Sequence, residues 1–358
     1  MHAQPPLVVP ASTSTERLVV PDVLRGVALL AMLIAHAAPL VVELPRAVAF
    51  AMGNASDVAS PLFALVMGLS AEVLMQRTPP RRRGSMLLQQ AARGLVLIAL
   101  GVWMSYWGSW VAIVLSYLGV LLIIGAPILL LSTRWVIGVA IGVAVISDPL
   151  NAWARLVLAP AIWDIPLASM VSQWFVLGYA YRFTNLLPFF LLGAILVRHG
   201  VRRDRYLWAM AIIAPLAYAV RPFITAVFGT PPHPSGSYVD TLHDVGLVFA
   251  VYVVIVLLAT VQRPGAATAI AIVFEPLRAI GAVALSLYVL HVAMLALWSQ
   301  TGLVVRESDW LRWLVIVPGM VLLGWLWWRF IGVGPVEWLL GWVTGRPKRW
   351  RRAQLGAR

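Results

Sequence analysis

The sequence predicts an all-α fold: a polytopic integral membrane helix bundle of about ten transmembrane helices, with both termini cytoplasmic. Three observations predict it. Of 358 residues, 61% are hydrophobic and 11% charged, with mean hydropathy +0.88, whereas a soluble chain of this length needs far more charged surface. Apolar runs long enough to cross a bilayer core, about 20 residues each, recur along the chain. Arginine is concentrated in "QRTPPRRRGS" (76–85), "RHGVRRDR" (198–205) and "GRPKRWRRAQLGAR" (345–358). All three fall on one side of a ten-span topology, and short arginine-rich loops mark the cytoplasmic side.

Residues 1–16, rich in Pro, Ser and Thr, read as a disordered tail. Residues 17–332 form the transmembrane domain, with spans near 24–43, 57–75, 86–106, 110–131, 135–149, 184–198, 206–228, 243–262, 279–299 and 312–331. The first resembles a signal peptide around Ala35-His36-Ala37. Its apolar run continues through "APLVV", however, and Glu16 and Asp22 interrupt the basic lead-in, so it is read as an uncleaved span. Residues 150–183 form the longest outer connection, aromatic and amphipathic enough to lie along the interface or cover a cavity. Residues 333–358 comprise an interfacial helix, "GPVEWLLGWVTG", with Trp338 and Trp342 on one face, and a basic tail.

Composition also excludes chemistry. There is no cysteine, so disulfides, thiolate nucleophiles and cysteine-ligated metals are ruled out. The net charge of +13 sits in the loops that orient helices, and does not argue for nucleic acid. No phosphate loop, nucleotide motif or serine elbow is present. His233 and His243 are expected at the outer surface and lack a clustered third ligand, so no metal site is expected. No repeat supports an inverted-repeat transporter.

The chemistry-bearing residues lie inside the spans, where ionisable groups are costly and face protein or a water-filled cavity. In "PDVLRGVALLAMLIAH", Arg25 and His36 are eleven positions apart. That separation returns to within roughly 20° of one helix face, about 16 Å along the axis. Asp22 shares this face. Asp57 opens the second span on the side towards His36 and is placed to accept its second ring hydrogen or to cap its own helix. Glu72, near that helix's other end, is level with Arg25, and a structural ion pair is expected between them. Arg93 lies near the cytoplasmic end of the third span, and Arg221 and Asp244 are expected to form a buried pair. His291, in "LSLYVLHVAML", has no neighbour in sequence that completes a site, and a structural role is expected for it.

"PDVLRGVALLAMLIAH" resembles the first helix of the acyltransferase-three superfamily, in which an arginine, ten residues and a histidine form the signature. "SDVASPLFALVMGLSAEVL" is similar to the second helix of heparan-alpha-glucosaminide N-acetyltransferase-like proteins. "LLPFFLLGAILVRHG" and "GPVEWLLGWVTG" look like YeiB-like bacterial membrane proteins. The helix-1 histidine position is often Asn in the YeiB-like pattern; here it is His36. The heparan enzyme's loop histidine has no counterpart in residues 44–56.

The resemblance implies a multi-pass cell-membrane acyltransferase carrying an acyl, chiefly acetyl, group from cytoplasmic acyl-CoA to an envelope carbohydrate or lipid-linked acceptor. On that reading His36 is the general base with Asp57 behind it. Arg25, Arg93 and Asp22, together with the arginines at 81–83, form the mouth for the donor, whose phosphates suit charge-assisted bonds. Acyl-CoA and the acceptor are the ligands, the bilayer is the surrounding partner, and an oligomer is compatible. The rival reading is a permease or flippase with a polar pathway through the bundle. A third is a non-catalytic scaffold in which the polar residues join helices.

Overall fold

A computed structural model describes residues 19–229, 235–302 and 307–345. The expected N-terminal tail, the basic C-terminal tail and His233 lie outside these residues. Regular structure among the described residues is helical. The elements are α1 (Val19–Ala37), α2 (Arg46–Arg77), α3 (Arg83–Ser105), α4 (Leu115–Ile128), α5 (Thr133–Trp153), α6 (Ala159–Ala161) and α7 (Pro166–Ser172). They continue with α8 (Phe183–His199), α9 (Arg205–Phe228), α10 (Tyr238–Ala259), α11 (Pro264–Ala282), α12 (Ala284–Gln300), α13 (Trp310–Leu314), α14 (Met320–Phe330) and α15 (Pro335–Val343).

Among the described residues, eight helical segments are long and apolar enough to cross a membrane. Seven coincide with expected spans; α13 and α14 form one of them, joined through a π-helical turn at Val315–Gly319. Three other expected spans fold as shorter apolar helices, α4, α8 and α12. The eighth long segment, α11, was not expected. Glu275, Pro276 and Arg278 interrupt its hydropathy, but Glu275 is satisfied by Arg329 at 3.3 Å and by the Trp325 indole at 3.2 Å. The connection 150–183 folds as a π-helical continuation of α5 followed by the short helices α6 and α7.

α1 is the central helix because its sequence is apolar on two faces. Val23, Leu24, Ala28 and Met32 enter a core shared with α2, α8 and α10. Leu29, Leu33 and Ala37 enter a second core with Ile280, Leu287 and Ile316. Small residues let backbones approach where bilayer helices gain mainly van der Waals contact. A Cβ built on Gly68 of α2 would lie 1.8 Å from the Phe190 carbonyl oxygen of α8, and one on Gly193 would lie 2.0 Å from that of Leu65. Only glycine fits either position.

The arginine-rich loops are tied to the bundle by specific bonds. Arg198, at the end of α8, makes a two-point ion pair with Glu72 of α2, at 3.0 and 3.1 Å, and donates to the Leu129 and Leu131 carbonyls after α4. This corrects the expected Glu72–Arg25 pair. Helix depth alone set that expectation, and Glu72 points to the face occupied by α8. Asp204 caps α9, accepting from the Tyr206 and Leu207 amides. The bond to His199 is the main influence holding its carboxyl down to about 2.

Candidate functional site

A cavity of about 360 Å³ lies among α1, α2, α3, α4, α12 and α15. That volume is at the small end for ligand pockets and suits one slender molecule. Arg25, Ser70, Gln90, Arg93 and Glu337 supply its polar lining, all towards the arginine-rich end of the bundle. Beyond them the walls are apolar: Met32 from α1, Phe63 and Val66 from α2, Leu97 from α3 and Leu118 from α4. Tyr288 of α12 and Val114 also line it.

Arg25 is half-buried and held from three directions. It donates to Asp22 at 3.2 Å, to the Ser70 hydroxyl at 2.9 Å and to the Gly281 carbonyl at 3.3 Å. Asp22 therefore lies on the arginine's face, as the helical period requires, and fixes its orientation. Arg93 reaches the same cavity from α3. The arginines at 81–83 do not line it, since they precede or open α3 while the cavity begins further along that helix.

Glu337 explains the motif "GPVEW". Its carboxylate accepts from the Leu285 amide at 2.7 Å and from the Ser286 amide at 3.2 Å, and also from the Ser286 hydroxyl. These amides are the unsatisfied donors of the α12 N-terminus, where a carboxylate is favoured by the helix dipole. The Ser286 hydroxyl in turn accepts from the Val336 amide at 3.0 Å. Gly334 leaves room for this network, since a Cβ there would lie 2.1 Å from a Glu337 carboxylate oxygen and 2.5 Å from the Ser286 hydroxyl. α15 is thereby fastened across the mouth of the cavity, with Leu340 facing into it.

His36 lies one turn beyond Met32 on the same face of α1 and is 7% exposed. It does not itself line the cavity. Tyr288, which does, packs edge-on against its ring at 6.5 Å between centroids. The partner of His36 is His291: Nδ1 of the first lies 2.9 Å from Nε2 of the second, with the rings stacked at 22°. Nδ1 of His291 donates to the Leu287 carbonyl, one turn back on α12, at 3.1 Å. Sequence reasoning assigned His291 a structural role because nothing local marks it. Its one sequence signal is the Tyr288-x-x-His291 spacing, which puts both rings on one helix face.

Irregular backbone between α3 and α4 closes over the pair. The Trp110 indole donates to the His36 carbonyl at 3.2 Å, the Val114 amide donates to the Tyr288 hydroxyl at 3.2 Å, and Gln300 donates to the Trp107 carbonyl at 3.2 Å. Non-helical backbone at membrane depth is tolerated where it is enclosed by protein or lines a cavity.

Asp57 does not contact His36. It pairs with Arg221 of α9 at 2.8 Å and lies 3.4 Å from His243 Nε2 of α10. Arg221 reaches Asp240 at 3.7 Å, and its expected partner Asp244 is replaced by these two. His243, expected at the outer surface, is buried against Tyr218. Asp57 sits on the face of α2 turned to α9 and α10, so this polar group joins helices away from the cavity. Among the described residues no cluster of three or more His, Asp or Glu could hold a metal ion.

A multi-pass helical bundle enclosing a polar-mouthed, apolar-walled cavity that ends beside a buried histidine pair has the build of a membrane enzyme. The family comparison gives the rest. The model of the acyltransferase-three family, described as an acyltransferase domain, matches residues 19–329. The chain belongs to that family and is a membrane acyltransferase. No curated protein matches the sequence.

Proposed function

We propose that the protein transfers an acyl group, chiefly acetyl, from cytoplasmic acyl-CoA to an envelope carbohydrate or lipid-linked acceptor, with His36 as general base. On this reading it groups with the YeiB-like and heparan-alpha-glucosaminide N-acetyltransferase-like members of the family. The observation that carries it is the cavity: two arginines at one end, an apolar shaft, and Tyr288 packed against His36 at the other. Phosphates of the donor fit Arg25 and Arg93. The pantetheine arm fits the shaft and brings the thioester to Tyr288.

An acceptor hydroxyl or amine then gives its proton to His36 as its oxygen or nitrogen bonds the acyl carbon. The carbon–sulfur bond breaks, and the departing thiolate takes that proton from His36. The Tyr288 hydroxyl, already accepting from Val114, keeps its own hydrogen to donate to the oxygen of the tetrahedral intermediate. With no cysteine in the chain, no thioacyl-enzyme can form, and direct transfer is favoured over an acyl-histidine.

The test uses purified protein in proteoliposomes with radiolabelled acetyl-CoA on the arginine-rich side and an envelope extract as acceptor. Labelled acceptor and free CoA should form together. His36→Gln should abolish both while the protein elutes and melts like the wild type. No acyl-CoA consumption with any envelope fraction would overturn the proposal, and counterflow of a solute without acylated product would select the permease.

A further inference from the structure

The geometry points to His291 as the positioning residue that holds His36 in its Nδ1–H tautomer and so leaves Nε2 as the basic atom. This rests on the general-base reading of His36 and adds the origin of its competence. The chain of bonds runs one way. A carbonyl oxygen can only accept, so the contact to Leu287 places the hydrogen of His291 on Nδ1. A neutral imidazole carries one N–H, so Nε2 of His291 is a lone pair. Nδ1 of His36, 2.9 Å away, must then be the donor. Its single hydrogen is consumed there, and its Nε2 is bare.

A doubly protonated His291 would reverse this direction, but its surroundings oppose it. The ring is 0% exposed, and Leu287, Val292 and Leu295 around it are apolar core residues. An uncompensated cation there is costly. Tyr288 is the ring packed against both imidazoles, 5.1 Å from His291 and 6.5 Å from His36, and it brings no charge. Among the described residues no carboxylate lies within ion-pair distance of either histidine.

The pair works as follows. The acceptor's proton moves to Nε2 of His36, giving an imidazolium whose Nδ1–H bond to His291 strengthens because its donor is now charged. The leaving thiolate then removes the Nε2 proton and restores the starting pair. His291 gains and loses no proton. Without it, His36 is free to carry its hydrogen on Nε2, the atom that must be empty.

The test combines histidine nitrogen NMR on labelled protein in nanodiscs with acyl-transfer kinetics. The chain has 6 histidines, and His36→Gln identifies the His36 signals by their loss. Wild-type His36 should show a protonated Nδ1 and a bare Nε2. His291→Gln, whose amide oxygen can accept the same bond, should keep that signature and most of the rate. His291→Phe, which keeps ring packing but cannot accept, should lose the signature and reduce kcat by roughly a hundredfold or more, the range of a general base. KM for the acyl donor should be unchanged.

A wild-type His36 protonated on Nε2 would overturn the inference whether or not the phenylalanine variant folds. So would a folded His291→Phe protein with full activity. Undiminished transfer by His36→Gln would instead overturn the general-base reading, a different and separable failure.

Discussion

His36 and His291 are hydrogen-bonded at 2.9 Å across 255 positions of sequence. α1 is fixed between two cores, α12 is pinned at its N-terminus by Glu337, and the pair forms where these two rigid helices cross the same depth. The site therefore depends on both ends of the chain, and substitutions can separate binding from chemistry.

At the mouth, Arg25→Gln should raise KM for the acyl donor about tenfold or more while kcat stays within a few-fold, since a charged hydrogen bond contributes about 1.5–3 kcal/mol. Arg93→Gln should act in the same direction. Steady-state kinetics with varied acyl-CoA check this, and a fall in kcat at constant KM would place the donor elsewhere.

At the inner end, Tyr288→Phe keeps the ring against both histidines and removes the hydroxyl. The expected loss is about ten- to a hundredfold in kcat with donor KM unchanged, somewhat below the cost of a full oxyanion-hole donor. Single-turnover transfer distinguishes this from slower product release.

The α2–α8 contact gives a stability prediction. Gly68→Val puts a branched side chain where even a Cβ meets the Phe190 carbonyl. Overpacking of this kind costs about 1–3 kcal/mol and more against unyielding backbone. Thermal unfolding in detergent should fall clearly below wild type, whereas Gly138→Ala, with open space around it, should not.

Asp204 gives the pH dependence. Its carboxyl is lowered in the folded protein to about 2, so its contribution is fully present above the ordinary carboxylate range. It fades as pH drops towards 2. Asp204→Asn should melt below wild type at neutral pH, with the gap closing between about pH 4 and 2. A gap that persists at low pH would mean that capping acts independently of charge.

Much of this was readable from sequence where the information lies within one helix. The Asp22–Arg25–His36 face follows from the helical period alone; Arg25 lines the cavity, whereas His36 lies outside its lining, one turn beyond Met32. What failed was pairing between helices. Glu72 and Asp57 were matched to α1 by depth, but depth does not fix the rotation of α2 about its axis. That rotation is set by the close glycine contact with α8, which turns Glu72 to Arg198 and leaves Asp57 to Arg221. His291 was undervalued for the same reason: a histidine in an apolar run carries no local sign of a partner hundreds of residues away.

On the general-base reading of His36, backing the base with an imidazole in place of a carboxylate has a consequence for assembly. The resting pair is then two neutral rings joined by one hydrogen bond, so the empty enzyme shelters no lone anion between α1 and α12. The bundle can be inserted and closed before any substrate arrives, and the ionic state appears only during turnover, when the reacting molecules supply the opposite charge.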